Sequence, residues 1–192
     1  MTEIDFSGPE SFKVGNITAY DYFGDNSFYL LDTPGHSVGH LSALVRTSSD
    51  TFVVLGADAI HDSGEIRPSQ YLPVPDTSDL GACLHPGQTL CCPGHVVQEF
   101  QVSRGRKPDE ALFNPTAGYN LHDVRRTIKN LQEIDWNERF FLIYAHDAAV
   151  GEIVDLFPKP LKSWKENGWD ELARWKFLSN YIPSLRLEAG NV

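Results

Sequence analysis

The segment Leu31 to His40, which reads LDTPGHSVGH, constrains the fold of this chain more than any other part of it. An apolar stretch ends there at a Pro-Gly pair, and such a pair stops a strand and turns the backbone sharply. His36 follows directly after the corner, and an imidazole at such a position is a candidate metal ligand. The sequence therefore predicts a strand that ends at the edge of a sheet and presents a histidine there.

Two later segments have the same design. Phe52 to Asp58 is an apolar run that ends on a carboxylate, and Phe140 to His146 is one that ends on a histidine. Imidazole nitrogens and carboxylate oxygens are the ligands that zinc accepts in hydrolytic sites. Spacing alone leaves open whether His36, Asp58 and His146 form one metal site or are separate hydrogen-bonded loop residues.

The remaining pattern predicts an α/β layered fold. The continuous apolar run over residues 51–55 indicates a strand buried on both faces, and residues 41–46 indicate another strand. Asn120 is a predicted helix cap, and apolar residues then recur at helical spacing up to the strand that carries His146. These apolar positions are Val124, Ile128, Leu131 and Ile134. Strands followed by a helix and a further strand are typical of α/β proteins.

The length of 192 residues fits a single domain, 1–192, with two distinct regions inside it. Prolines punctuate residues 63–120, so we expect a loop region without long regular elements that shapes a substrate pocket. Residues 160–192 are expected to form a helical tail that docks on the body, with a partner-binding face as the alternative. Its apolar stripe consists of Trp164, Trp169, Leu172, Trp175 and Leu178.

Charge and composition restrict the partners. The net charge of −10 disfavours a nucleic acid or an anionic membrane as a partner, and no apolar run reaches the ~18 residues of a membrane span. The three cysteines are a poor disulfide framework because they are odd in number and two are adjacent. We therefore expect a cytoplasmic location and a small-molecule substrate.

The sequence gives only weak indications of a second metal site or of a nucleophilic catalytic residue. Cys83, His85, Cys91, Cys92 and His95 lie close in sequence, but their spacing matches no zinc finger or ribbon. They are interpreted as loop residues, with a separate metal site as the alternative and a Cys-His catalytic pair as a remote one. No Gly-x-Ser-x-Gly motif occurs, so a serine hydrolase of that type is disfavoured.

Three motifs together resemble those of the metallo-β-lactamase superfamily. Residues 33–40, TPGHSVGH, are similar to its third motif, Gly56-Ala57-Asp58 to its fourth, and residues 144–147, YAHD, to its fifth. Their order and strand context also agree, and the resemblance covers roughly residues 27–157. The most similar subgroup contains lactonase-like and lactamase-like hydrolases.

The resemblance implies roles for individual residues. His36 would ligate the first of two zinc ions, Asp58 would bridge both ions, and His146 would ligate the second. His40 would support the corner rather than bind metal. His61 occupies the position of a family tyrosine that polarises the substrate carbonyl, so it is a candidate catalytic residue, with a loop histidine at the rim as the alternative. The implied reaction is the opening of a lactone or lactam by metal-activated water.

One motif of the family is missing. Its second motif, His-x-His-x-Asp-His, occurs nowhere, and no histidine precedes His36. The chain therefore resembles the C-terminal part of a four-layer αββα sandwich that is incomplete at its N-terminal half. Two alternatives to an active hydrolase follow: a truncated, inactive relative or binding module, and a chain complemented by another that carries the missing ligands. A missing layer also predicts an uncovered apolar sheet face and self-association.

Overall fold

A computed structural model of the chain describes residues 4–75, 93–178 and 180–181. Its sheet has six strands that lie side by side in chain order. They are β1 (Ser11–Val14), β2 (Ile17–Asp21), β3 (Phe28–Asp32), β4 (Leu41–Arg46), β5 (Phe52–Leu55) and β6 (Phe140–Ile143). Neighbouring strands are antiparallel, except that β5 and β6 are parallel.

Helical segments connect β5 to β6 and follow β6. They are a 3-10 turn (Ala57–Ala59), α1 (Ser63–Ile66), α2 (Pro93–Ser103), α3 (Leu121–Asp135), α4 (Ala148–Gly151) and α5 (Trp169–Arg174). The side chain of Asn120 accepts hydrogen bonds from the backbone of His122 and Asp123, which confirms the predicted cap of α3. The sheet and helices together confirm the predicted α/β class.

Strand directions explain why the motif segments meet. Because β4 is antiparallel to both β3 and β5, those two strands run in the same direction, and β6 runs parallel to β5. The C-terminal ends of β3, β5 and β6 therefore lie at one edge of the sheet. The chain after these ends carries His36, Asp58 and His146.

Helix α3 packs on one face of the sheet. Its buried residues Val124, Ile128, Leu131 and Ile134 share a cluster with residues from β2, β3, β4, β5 and β6. On the other face, Val53 of β5 and Phe141 of β6 pack against Trp164 and Trp169. Both faces of β5 are thus covered, which agrees with its uninterrupted apolar sequence.

The rest of that second face is only partly covered. Along β2, β3 and β4, buried residues alternate with half-buried ones, as the period of a strand requires. The half-buried set on this face is mostly apolar and consists of Thr18, Tyr20, Phe28, Leu30, Asp32, Leu41, Ala43 and Val45. A half-buried apolar sheet face is consistent with one part of a sandwich, and the self-association expected from it stays a prediction.

Two regional expectations need refinement. Residues 63–120 contain α2, an 11-residue helix that the proline content did not predict. Proline is compatible with a helix at its first position, where no backbone N–H is required, and Pro93 begins α2. In the tail, the indole of Trp164 and the side chain of Leu178 are buried as predicted, but Leu172 is 45% exposed. The assignment of 1–192 to one domain stays a prediction.

No helix in the described part of the chain combines the length and apolar character needed to cross a membrane.

Candidate metal centre

The Pro-Gly-His corner is held by the start of α3. Three successive backbone carbonyls accept hydrogen bonds: Pro34 from the Thr127 hydroxyl at 2.7 Å, Gly35 from the Asn120 N–H at 3.0 Å, and His36 from the Tyr119 N–H at 2.9 Å. These bonds satisfy polar groups that the turn removes from the sheet ladder. His36 is therefore fixed to the helix as well as to the strand.

Glycine is required at the centre of this corner. Gly35 has a φ of +132°, and a Cβ there would lie 2.7 Å from Cα of Val124 and closer still to its nitrogen. No side chain fits this close approach without moving α3. The glycine of the motif thus sets the position of the histidine that follows it.

Asp58 lies in the turn after β5, which is tied to the end of β6. The Gly56 N–H donates to the carbonyl of Ile143 at 2.7 Å, and the Ala145 N–H donates to the carbonyl of Ala57 at 3.0 Å. Ala57 has a φ of +48°, a conformation that costs a non-glycine residue about 1 kcal/mol. These two hydrogen bonds join the turn after β5 to the end of β6, and so fix the positions of Asp58 and His146 relative to each other.

The carboxylate of Asp58 contacts His146. The Nε2–H of His146 donates to Oδ1 of Asp58 at 2.9 Å, and the two side chains are 53% and 41% exposed. This part of the site is therefore open to solvent and to a substrate.

His36 and His61 complete the cluster. One ligand atom from each of His36, Asp58 and His61 lies within 4.8 Å of the other two. The ring of His61 stands between two other imidazoles, 5.0 Å from that of His36 and 5.3 Å from that of His146 between centroids. The sequence did not establish whether His61 belongs to the site or to its rim, and the structure places it inside the cluster.

His40 lies behind His36, at 5.5 Å between ring centroids. Its Nδ1–H donates to the carbonyl of Thr33 at 2.9 Å, and the Thr33 hydroxyl hydrogen-bonds with that of Ser42 at 2.8 Å. The Ser42 hydroxyl in turn donates to the carbonyl of Gly56 at 3.1 Å. This buried network joins the corner to the turn of Asp58, so His40 lies where the resemblance expects a supporting residue.

The donor set fits a divalent cation. Nδ1 of His36 and Nδ1 of His61 are buried and have no hydrogen-bond partner within the described residues. A buried polar atom without a partner is costly, and a metal ion satisfies an imidazole lone pair. Two imidazoles beside a carboxylate suit zinc in particular. The roles of His36, Asp58 and His146 as ligands stay predictions.

Two residues close to His146 in the chain, the buried Tyr144 and the half-buried Asp147, have perturbed pKa values. Burial raises the pKa of Asp147, and the nearby Arg67 guanidinium only partly opposes this. Burial likewise raises the pKa of the Tyr144 phenol, whose hydroxyl hydrogen-bonds with that of Ser63 in α1. This bond fixes the end of β6 to the segment that follows His61.

Several supporting residues were not found from the sequence. They include Glu65, whose carboxylate accepts the backbone N–H of His61 at 3.0 Å, and the pair Thr33 and Ser42. Of these three residues, only Thr33 is next to a recognisable motif in the sequence, because it directly precedes the Pro-Gly pair. Of the cysteine-histidine group, Cys83, His85, Cys91 and Cys92 lie outside the described residues.

Comparisons with known proteins give homologues along almost the whole chain, although no family model matches it. Gamma-lactamase FDB1 of Fusarium pseudograminearum (strain CS3096) is 39% identical over 189 residues, which are 95% of this chain and 45% of that protein. Metallo-hydrolase mfmC of Annulohypoxylon moriforme is 40% identical over 190 residues, which are 96% of this chain and 48% of that protein. The chain thus spans about half the length of the curated relatives it matches.

Among solved structures, that of an N-acyl homoserine lactone hydrolase covers 73% of this chain and 38% of its own chain, with 21% identity and a TM-score of 0.44.

Proposed function

Because the chain belongs to the metallo-β-lactamase superfamily, we propose that it is a metal-dependent hydrolase that opens a cyclic amide or ester, a lactam or a lactone. The observation that supports this proposal most is the convergence of His36, Asp58 and His146 at one sheet edge. The curated relatives named a gamma-lactamase and a metallo-hydrolase favour a γ-lactam as the first substrate to test.

The metal would be held at the edge formed by β3, β5 and β6. His36 would bind one ion and His146 a second. Asp58 would contact both, since its carboxylate contacts Nε2 of His146 at 2.9 Å and has an oxygen within 4.8 Å of a ring nitrogen of His36. Zinc bound there would polarise the scissile carbonyl and promote ionisation of the attacking water.

The protein's own groups would orient the reaction. Asp58 and His146 are accessible from solvent, whereas Nδ1 of His36 is buried, so a substrate would approach from the side of the exposed pair. The rigid corner at Gly35 and the bonds between the β5 and β6 turns would keep the ligands in place without a metal. The proposal includes a small-molecule substrate, no nucleic-acid or membrane partner, and a cytoplasmic location.

Ring opening by the purified chain tests this proposal. The chain would be loaded with zinc and incubated with γ-lactams and γ-lactones, and the open acids would be separated by liquid chromatography. We expect turnover that a chelator removes and that His36→Ala abolishes, while the exposed control His122→Ala retains it.

Binding of zinc without turnover of any substrate would favour the inactive relative or binding module. Activity that His36→Ala and the chelator leave unchanged would contradict a metal-dependent reaction at this edge.

A further inference from the structure

We propose that His61 is a ligand of the metal ion held by His36 and Asp58, so that three residues of this chain form one coordination site. This inference rests on the proposed function, because it concerns the same metal centre. It assigns His61 to the ion, in place of the two alternatives that the resemblance left open, a residue that polarises the substrate carbonyl and a loop histidine at the rim.

The first argument for His61 as a ligand is its position relative to His36 and Asp58. A ligand atom of His61 lies within 4.8 Å of one from His36 and one from Asp58. Tetrahedral zinc with bonds of about 2.0–2.1 Å holds its ligand atoms about 3.3 Å apart, so small side-chain rotations close the site. His146 contacts Asp58 but is outside this group of three.

The state of the His61 ring is the second argument. Its Nδ1 is buried without a hydrogen-bond partner in the described part of the chain. The nearest carboxylate oxygen, Oε2 of Glu65, is 4.0 Å from Nδ1, which is too far for a hydrogen bond. That oxygen instead accepts the backbone N–H of His61, so Glu65 fixes the main chain and leaves the ring for another partner.

Local structure keeps His61 at the cluster. The next residue, Asp62, caps α1 by accepting the Gly64 N–H at 2.7 Å, and its other oxygen accepts the Tyr181 hydroxyl at 2.6 Å. Glu65 is buried within α1 and holds the main chain of His61 through that hydrogen bond. The backbone of His61 is therefore anchored to α1, as ligands of preorganised metal sites are held by their surroundings.

The number of donors is the third argument. Three protein ligands leave one position of a tetrahedral ion free for water or substrate, which is the arrangement of catalytic zinc sites. His36 and Asp58 alone would hold an ion weakly, and the chain contains no His-x-His motif that could supply further ligands. His61 supplies the missing donor from the same sheet edge.

Metal affinity of the full chain tests the inference independently of catalysis. Zinc and cobalt(II) would be titrated into the wild type, His61→Ala, His36→Ala and the exposed control His122→Ala, with heat and cobalt absorption as readouts. We expect affinity to fall at least about tenfold in His61→Ala and His36→Ala and to stay at the wild-type value in His122→Ala.

A second variant tests ligation by residue 61 in case His61→Ala does not fold. His61→Cys replaces the imidazole by a thiolate, which adds a thiolate-to-cobalt charge-transfer band to the spectrum of the wild type if residue 61 contacts the ion. Appearance of that band supports ligation even if His61→Ala does not fold.

Wild-type affinity in folded His61→Ala, or cobalt bound by His61→Cys without the band, would overturn the role of His61. If His36→Ala still loses the ion in that case, the proposed function survives. A wild type that binds neither metal would overturn both.

Discussion

Nε2 of His146 lies 2.9 Å from Oδ1 of Asp58, although 88 residues separate them in the chain. The contact exists because β5 and β6 are parallel neighbours whose turns are bonded to each other. A carboxylate and an imidazole in contact at a solvent-open sheet edge, with two further imidazoles behind them, are an arrangement suited to a cation.

Removal of the Asp58 charge should weaken metal binding without unfolding the chain. Asp58→Asn keeps the shape of a side chain that is 41% exposed, so the melting temperature without metal should stay close to that of the wild type. Zinc affinity should fall at least about tenfold because the anionic ligand is gone. Titration calorimetry measures this, and equal affinity in the two proteins would rule out Asp58 as a ligand.

The corner at Gly35 should be intolerant of any side chain. Gly35→Ala places a Cβ against the backbone of Val124, and we expect a loss of at least about 2 kcal/mol in the free energy of unfolding. Gly39→Ala is the matched control, because its φ is +72° but nothing lies within 4 Å of the added Cβ. Gly39→Ala should lower the free energy of unfolding by about 1 kcal/mol. Equal losses in urea denaturation would contradict the close approach of the corner to α3.

The buried pair of Arg67 and Asp135 should dominate the ionic contribution to stability. Both guanidinium contacts are short, 2.7 and 2.6 Å, and both side chains are 4% exposed. Asp135→Ala leaves a buried cation short of its partner and should cost about 3–5 kcal/mol.

The exposed pair of Asp155 and Lys159 provides the comparison. Asp155→Ala should cost less than about 0.5 kcal/mol, because both side chains are largely in water. Urea denaturation of both variants at neutral pH measures the difference. Similar costs for Asp135→Ala and Asp155→Ala would show that Arg67 does not depend on its carboxylate.

Asp170 should give the chain a distinct pH dependence. Burial raises the pKa of its carboxyl, and Arg174 only partly offsets the effect. Between the unfolded and folded pKa values the folded chain binds more protons than the unfolded chain, so this residue's contribution to stability falls as pH rises through that window.

The variant Asp170→Asn lacks this titration. Its stability relative to the wild type should therefore increase from pH 3 to pH 7, as measured by urea denaturation at a series of pH values. Asp155→Asn controls for the loss of an exposed carboxylate. A relative stability of Asp170→Asn that is constant or decreases with pH would contradict the raised pKa.

The sequence predicted those parts of the fold that local pattern determines. The apolar strands before Asp58 and His146 and the capped helix after Asn120 are present because alternation, periodicity and capping act over a few residues. The convergence of the three motif segments followed from parallel strand ends meeting at one edge.

Features that depend on tertiary contacts were not predictable. The Arg67–Asp135 pair joins residues 68 positions apart, and the position of His61 depends on Glu65 and on the start of α1. The buried network of Thr33, His40 and Ser42 also forms only when β3, β4 and the Asp58 turn are assembled. Neither the charge pattern nor the apolar periodicity of the sequence indicates which distant residues will be in contact.

The central claim is that this sheet edge is a metal centre that includes His36. Calorimetric titration of zinc into the metal-free wild type and into His36→Ala tests it most directly. We predict at least about one zinc ion bound per wild-type chain and strongly weakened binding by His36→Ala at unchanged fold. Indistinguishable zinc binding by the two proteins, or none by the wild type, would contradict the claim.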